Sequence, residues 1–349
     1  MKSRMKKSIR SLIIVLIIIW FASGRIKIHR GSVALPQAAI TNAQVAEHMS
    51  GLQNITGTLL IFPWAFKQFS NAFGQTTSGL QMRNYEFTEP LMKTQFRNLL
   101  EKNVNIQLIL ENHMYQQYTS EYAPILAMFS WYKTFAIKYD QYMRTDYVHA
   151  KTDILDHSFI IKTANLTHSS LFTNREYMFI GTNPWVLQSL RTIFARDRAG
   201  EQIKLSDIHP NLVVCNINCR GVIENMLNGA KSSIIIDTQY INDSSIIDIL
   251  SKQEKKVKEM KLLVADITTN DTVKNLLPDY TKKYTQQYLH AKMILVDHKT
   301  LLLGSMNLSS ESLDKNREIW ILLTDPTLIS QFTTQFTQDW NFTPPSPLK

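Results

Sequence analysis

Two segments of the chain carry a histidine and a lysine separated by one residue, and the segments are nearly identical. Residues 147–156 have the sequence YVHAKTDILD, and residues 288–297 have the sequence YLHAKMILVD. Alternate residues of a strand point to the same face, so the histidine and lysine of each segment project together. A neutral imidazole can act as a nucleophile or general base, and an ammonium beside it favours a negatively charged oxygen. The pattern therefore predicts chemistry on an anion, most naturally a phosphodiester.

The two segments belong to a longer internal repeat, which indicates that the chain is a duplicated unit. The offset between the copies is 141 residues in the segments themselves and 142 after the hairpin that follows. The residues that then match are Asn165 with Asn307, Asn174 with Asn316, Arg175 with Arg317, Glu176 with Glu318, Pro184 with Pro326, and Asp197 with Asp339. Pseudo-two-fold packing of the copies would bring both histidine–lysine pairs onto one substrate.

The elements that must position these pairs are predicted to be α/β. Short apolar runs are typical of buried strands, and runs with helical spacing follow them. The predicted strands are Thr58–Phe62, Ile106–Leu110, Phe159–Ile161, Tyr177–Ile180, Ile234–Asp237, Leu262–Ala265, Leu301–Leu303 and Ile319–Leu323, and the predicted helices are Pro184–Ala195, Arg220–Ala230 and Pro326–Phe336. We therefore expect two similar lobes related by pseudo-two-fold symmetry, each a mixed β-sheet flanked by helices. The expected boundaries are 1–24 for an N-terminal hydrophobic segment, 25–205 for the first lobe and 206–349 for the second.

The second copy resembles a known family. Residues 290–307 (HAKMILVDHKTLLLGSMN) match in full the pattern H-x-K-x4-D-x6-G-S-x-N, the signature of the phospholipase D superfamily. Residues 149–165 (HAKTDILDHSFIIKTAN) match its His, Lys, Asp and Asn elements. The chain is similar to bilobal members over roughly residues 50–340, and two linked copies are far more specific than one.

The resemblance implies a two-step phosphodiesterase reaction without a metal or other cofactor. One histidine forms a covalent phosphohistidine, and the other protonates the leaving group and then activates water or an alcohol. By analogy His149 is expected to be the nucleophile and His290 the general acid and base, although the family pattern also allows the exchanged roles. The residues expected to hold the phosphoryl oxygens are Lys151, Lys292, Asn165, Asn307, Ser305 and Thr163.

Two acidic pairs complete the expected set. Glu176 and Glu318 can accept a hydrogen bond from an imidazole and so fix its tautomer. Asp156 and Asp297 belong to the catalytic signature but are expected to stabilise the hairpin more than to touch substrate. The first copy departs from the family where Lys162-Thr163 replaces Gly304-Ser305, which puts that half of the phosphate clamp in doubt.

The net charge of +9 is concentrated at the N-terminus. Eight of these nine units come from lysines and arginines before residue 31, where there is no acidic residue, which leaves about +1 for residues 31–349. The basic stretch precedes an apolar run, Leu12–Ala22, followed by Ser23 and Gly24, which is typical of an export signal. Both a cleaved signal peptide and an uncleaved signal anchor fit this pattern. Either one predicts a catalytic body outside the cytoplasm.

The two cysteines, Cys215 and Cys219, exclude a disulfide-rich scaffold and a four-cysteine zinc site. In an exported protein they can form a disulfide, but two ordinary buried thiols fit the sequence equally well.

The substrate is less well defined. Ten aromatic residues lie within residues 115–147, which suggests either ordinary packing or an apolar wall able to meet acyl chains. A nuclease would need a basic groove, and the body is nearly neutral. The first hypothesis is therefore a phospholipid substrate at a membrane. A nuclease of the same superfamily, phosphatidyl transfer of the cardiolipin-synthase type and a non-catalytic binding protein are the alternatives. Two motifs in one chain make a monomer sufficient for a complete site.

Overall fold

The computed structural model describes residues 40–112, 122–139 and 145–342. The predicted export or anchoring segment, residues 1–24, lies outside these ranges. So do Tyr115, Tyr118 and Tyr142 of the aromatic segment. Within the described ranges, no helix is both long enough and apolar enough to cross a bilayer.

The first lobe is a seven-stranded mixed sheet with helices on its faces. Its strands are β1 (Gly57–Phe62), β2 (Gly79–Asn84), β3 (Asn105–Leu110), β4 (Phe135–Tyr139), β5 (Thr152–Ile154), β6 (Phe159–Lys162) and β7 (Glu176–Gly181). Helix α1 (Asn42–Ser50) precedes them, and the helices among and after them are α2 (Phe66–Gly74), α3 (Pro90–Glu101), α4 (Tyr122–Phe129), α5 (His168–Phe172) and α6 (Pro184–Ala199). The strand order is β1-β7-β6-β5-β2-β3-β4, with β2, β3 and β4 parallel and the other neighbours antiparallel.

The second lobe repeats this arrangement. Its strands are β8 (Leu212–Val214), β9 (Ser233–Thr238), β10 (Glu259–Ala265), β11 (Thr281–Tyr284), β12 (Lys292–Val296), β13 (Thr300–Gly304) and β14 (Ile319–Leu323). Its helices are α7 (Cys219–Gly229), α8 (Ser244–Gln253), α9 (Asp271–Leu276), α10 (Ser310–Asp314) and α11 (Pro326–Phe342). The order β8-β14-β13-β12-β9-β10-β11 places every strand where the first lobe has its counterpart. The prediction of two similar lobes, each a mixed sheet flanked by helices, is confirmed.

Local sequence explains these elements. Strand β9 is buried along its whole length between β10 and β12, which is why its apolar run does not alternate with polar residues. Helix α6 begins at Pro184, where the side chain of Asn183 accepts hydrogen bonds from the first-turn amides. It ends at Gly200, whose φ of 71° is the left-handed conformation that glycine adopts without strain.

The two sheets share a central core. It contains residues of both sheets, such as Phe179 and Leu303, together with Phe194 on α6 and Phe332 on α11. Each lobe also has its own outer core under its remaining helices. Because the apolar residues of both sheets meet in one core, the ends of their strands are held in a fixed relation, and the site lies at those ends.

The predicted boundaries place helix α1 in the first lobe, but the helix packs on the second lobe. Val45 belongs to the outer core of the second lobe and contacts Gly221 of α7. The ring of His48 lies within hydrogen-bond distance of the Leu212 carbonyl oxygen. The lobe boundaries of 25–205 and 206–349 stay a prediction.

Candidate active site

The histidine–lysine segments lie at the same edge of the two sheets, and each is fastened to the other lobe. The backbone amide of His149 donates to the Arg317 carbonyl oxygen (3.0 Å), and the amide of His290 donates to the Arg175 carbonyl oxygen (3.1 Å). Two isolated β-bridges, Val148 with Arg317 and Arg175 with Leu289, mark the same junctions. The repeat in sequence is therefore a pseudo-two-fold arrangement around one site.

Each imidazole is held by a glutamate of the opposite lobe. Nδ1 of His149 lies 2.8 Å from Oε1 of Glu318, and Nδ1 of His290 lies 2.7 Å from Oε1 of Glu176. A carboxylate only accepts hydrogen bonds, so Nδ1 carries the proton and Nε2 is left as the reactive nitrogen. Both glutamates are fully buried. Burial acts to raise the pKa of each carboxyl, but the facing histidine and lysine charges hold it below its usual value.

Both histidines are poised to be neutral. Burial lowers the pKa of His149, against the opposing effect of Glu318, and lowers the pKa of His290 to about 4, against that of Glu176. The rings remain 13% and 11% exposed, which leaves them open to a substrate. A neutral imidazole with a free Nε2 lone pair is the form that attacks phosphorus.

The two lysines lie beneath the histidines and are fully buried. The ammonium of Lys151 donates to the His149 carbonyl oxygen, and that of Lys292 to the His290 carbonyl oxygen, both at 2.8 Å. Burial lowers the pKa of Lys151 to about 8 and that of Lys292 to about 7. Each lysine charge also lowers the pKa of the other lobe's histidine, so the two pairs face a common space. Two partly desolvated cations in that space favour an anion.

Asn165 and Asn307 follow β6 and β13. Both side chains are buried, at 7% and 4% exposure. The Asn165 amide donates to Glu86 (3.3 Å). In the described part of the chain, the Oδ1 atom of each asparagine has no hydrogen-bond partner. An amide oxygen only accepts hydrogen bonds, so Oδ1 suits a ligand group or water that donates, and a phosphate oxygen would contact Nδ2.

The arrangement of two histidines, two lysines and two asparagines is accompanied by a family match. The family described as cardiolipin synthase, PLD-like domain, matches residues 69–198 and 223–340. The chain belongs to the phospholipase D superfamily. No match was found among curated proteins.

Solved structures show the same fold. Phosphatidylserine synthase from Haemophilus influenzae matches with a TM-score of 0.67 at 12% identity, over 87% of this chain and 91% of its own. Polyphosphate kinase from Porphyromonas gingivalis matches with a TM-score of 0.63 at 14% identity over 88% of this chain, which spans about half (54%) of that enzyme. Nuc, a phospholipase D family member from Salmonella typhimurium, matches over 38% of this chain at 20% identity, and its TM-score of 0.35 is too low to support a structural conclusion.

Two of the expected phosphate ligands, Ser305 and Thr163, form hydrogen bonds to the glutamates. The hydroxyl of Ser305 donates to Glu318, and that of Thr163 donates to Glu176, both at 2.6 Å. Both residues are fully buried, and a hydroxyl has a single proton to donate. The geometry therefore favours Ser305 and Thr163 as positioning residues for the glutamates over contact with phosphate.

Asp156 and Asp297 lie at the far end of the strands from the histidines. Each aspartate follows its histidine by seven positions, which is about 23 Å of extended chain. Asp156 accepts hydrogen bonds from the backbone amides of residues 77–79, and Asp297 accepts them from the amides of residues 231–233. They tie each hairpin to the start of the neighbouring strand. These hydrogen bonds give both aspartates a scaffold role, away from the reactive histidines.

Lys162 replaces the glycine of the family pattern in the first copy, and its side chain is accommodated on the other face of the sheet. A Cβ atom at Gly304 would lie 2.3 Å from the Trp320 ring, so only glycine fits there. The corresponding strand neighbour in the first lobe is Met178, and Lys162 lies beside it with its ammonium 2.6 Å from Oδ1 of buried Asp153. Thr163 therefore keeps its place beside Glu176, and the first half of the site is intact.

Sequence reasoning missed the residues that come from the segment before each motif. The Tyr85 ring lies 4.9 Å from the His149 ring and 5.5 Å from the Lys151 ammonium. Gln239 accepts from Lys292 (3.4 Å) and donates to the Tyr288 hydroxyl (2.7 Å). Tyr85 and Gln239 hold equivalent places after β2 and β9 but differ in type, so the repeat gave no signal for them.

An arginine and an aspartate recur at matching positions of the repeat, and they form ion pairs between the lobes. Arg175 forms an ion pair with Asp339 (2.8 Å), and Arg317 forms one with Asp197 (3.2 Å). Each pair joins one lobe to the terminal helix of the other. The arginine carbonyl groups hold the histidine amides, so these ion pairs position the backbone of the site.

Cys215 and Cys219 form a disulfide beside this junction. Both sulfur atoms contact the sulfur of Met306, which lies between Ser305 and Asn307. Among the described residues, no group of three or more His, Cys, Asp or Glu side chains is arranged to hold a metal ion.

Proposed function

We propose that this protein is a phosphodiesterase that cleaves the phosphodiester bond of phospholipids through a phosphohistidine. The observation that carries the proposal is the pair of imidazoles, each held at Nδ1 by a buried glutamate of the opposite lobe. Two such groups on opposite sides of one anion-binding space are what a two-step displacement requires.

In the first step, Nε2 of His149 attacks phosphorus and forms an N–P bond as the P–O bond to the leaving group breaks. Protonated His290 gives its Nε2 proton to the departing oxygen. The negative charge of the bound diester raises the pKa of His290 above its value in the free protein, so His290 takes up that proton from solvent as the diester binds. Lys151, Lys292, Asn165 and Asn307 bind the non-bridging oxygens, whose charge grows in the transition state.

In the second step, His290 accepts a proton from water as the water oxygen attacks phosphorus. The N–P bond breaks, the bond electrons return to His149, and both histidines regain their starting states. Replacing water with an alcohol converts hydrolysis into phosphatidyl transfer without any change in the residues. The matching family's description as cardiolipin synthase and the fold neighbour phosphatidylserine synthase favour transfer as the second candidate.

The charge distribution supports a lipid substrate over a nucleic acid. The chain carries about one net positive charge outside its first 30 residues, whereas nucleic-acid sites neutralise several phosphates with lysine and arginine. We also propose that the N-terminal segment exports or anchors the protein, with the body outside the cytoplasm.

The substrate is tested by assaying choline release from phosphatidylcholine beside cleavage of labelled single-stranded DNA, with EDTA present in both. We expect lipid cleavage with no loss from EDTA. Formation of phosphatidylglycerol when glycerol is added would identify transfer. DNA cleavage without lipid cleavage would contradict the proposal.

A further inference from the structure

We propose that the edge of the sheets that carries the site docks on a phospholipid bilayer through an aromatic rim of Trp64, Tyr288 and Phe342. The inference rests on the proposed function, because it names the surface at which that site meets its substrate. The three side chains are 66%, 44% and 71% exposed. Tryptophan and tyrosine prefer the boundary between lipid headgroups and acyl chains, where an apolar ring and a polar tip are both satisfied.

The rim residues are each linked to one ion pair. The Trp64 ring stacks 4.7 Å from the guanidinium carbon of Arg175, and the Tyr288 carbonyl oxygen accepts a hydrogen bond from the Arg175 amide. Phe342 ends helix α11 one turn after Asp339, the ion-pair partner of Arg175. One buried ion pair therefore connects all three.

The rim borders the reactive centre. The Tyr288 ring stacks on the His290 ring with 6.3 Å between centroids. Lys282 lies 4.8 Å from the partly buried ring of Trp340 and donates to the Trp340 carbonyl oxygen (3.0 Å), two residues before Phe342. A cation beside the rim matches the phosphate groups of a lipid surface.

The turn that carries Trp64 differs from its counterpart in the second lobe. The turn after β1 corresponds to the turn after β8, because the carbonyl oxygens of Phe62 and Cys215 accept from Arg175 and Arg317 in the same way. Two residues further on, Ile217 packs against the central core whereas Trp64 is exposed. The first-lobe turn therefore exposes a large ring where its counterpart packs an aliphatic side chain.

Helix α1 begins at this same edge. Strand β8 runs toward Glu318, so Pro210 before it lies at the far edge and Gly221 after it lies near the site. Helix α1 contacts Gly221 through Val45 and Pro210 through Gly51, so its N-terminus points to the site edge. The sequence that precedes α1, for which export or membrane anchoring is proposed, therefore joins the body at the edge that carries the rim.

Lipid contact is tested on the full chain reconstituted in vesicles of phosphatidylcholine and phosphatidylglycerol. An environment-sensitive fluorophore is attached in W64C, in F342C and, as the control, in W185C. Trp185 is 68% exposed but lies at the opposite edge, after the end of β7. We expect quenching by brominated lipid to be at least about threefold stronger at positions 64 and 342 than at 185. Equal quenching at all three positions would overturn the proposal.

A second measurement separates docking from chemistry. We expect W64A/F342A to hydrolyse long-chain phospholipid in vesicles about tenfold more slowly and to hydrolyse a water-soluble short-chain diester at an unchanged rate. The matched control W131A/W185A should change neither rate, because Trp131 (78% exposed) precedes β4 and Trp185 follows β7, both at the opposite edge. An equal loss on both substrates contradicts docking through the rim. If neither substrate is turned over by the wild type, the proposed function fails, and the quenching result still decides the docking surface.

Discussion

At the scale of single residues, the site depends on a series of hydrogen bonds between its residues. Ser305 donates to Glu318, Glu318 accepts from His149, and the His149 carbonyl oxygen accepts from Lys151. The other lobe repeats this chain with Thr163, Glu176, His290 and Lys292. The sequence predicted every one of these residues from the repeat. It did not predict that each glutamate serves the opposite histidine, because local spacing carries no information about contacts 169 or 114 residues apart.

Glu318→Gln tests the importance of the carboxylate charge. The amide oxygen can still accept from Nδ1 of His149, but the charge that stabilises the imidazolium is gone. We expect kcat to fall about 10- to 100-fold with little change in KM, by analogy with the carboxylates that orient metal-bound histidines. Glu311→Gln, at an exposed position of α10, is the matched control and should keep full activity. Wild-type kcat in Glu318→Gln would contradict the role of Glu318.

The pH dependence of substrate binding follows from the lysines. Burial lowers the pKa of Lys292 to about 7 and that of Lys151 to about 8, so both ammonium groups are lost at lower pH than usual. As pH rises through this range, the site loses positive charge and the anionic diester binds less well. We expect KM to rise between about pH 7 and 9 at constant ionic strength. A KM that is flat or falls over that interval would show that the lysines do not bind the diester.

At the scale of elements, the two lobes have different residues at equivalent positions of the same hairpin. The hairpin β12–β13 places Gly304 against Trp320, and the hairpin β5–β6 places a buried Lys162–Asp153 ion pair at the equivalent position. The sequence predicted both hairpins from the alternation after each His-x-Lys segment. It could not predict that the lysine is harmless, because that depends on the partner across the sheet.

The Lys162–Asp153 pair gives a stability prediction. Lys162→Met leaves a buried carboxylate without its partner, and we expect it to lower the free energy of unfolding by about 3 kcal/mol. Lys162→Met/Asp153→Ile removes both charges, Ile294 being the residue that matches Asp153 in the repeat, and should recover most of that loss. Urea unfolding measures both variants. Equal destabilisation by the single and double variants would show that the pair does not act as a unit.

At the scale of the whole molecule, the duplication produces one site in place of two. Arg175 and Arg317 each bridge the lobes through an ion pair and a carbonyl group that holds a histidine amide. Both halves of the site thus come from one chain. The sequence predicted this outcome from the two motif copies. The sequence did not predict the aromatic rim, because Trp64, Tyr288 and Phe342 are far apart in the chain and come together only at the ends of strands and helices.

The central claim is that His149 and His290 act in sequence through a covalent intermediate. It is tested most directly by incubating the full chain with a phospholipid labelled at its phosphate and quenching in alkaline detergent, in which phosphohistidine survives. We expect labelled protein in the wild type, more of it in His290→Ala with a good leaving group, and none in His149→Ala. Label in His149→Ala but not in His290→Ala would exchange the two roles. Turnover in both alanine variants at the wild-type rate would contradict the account altogether.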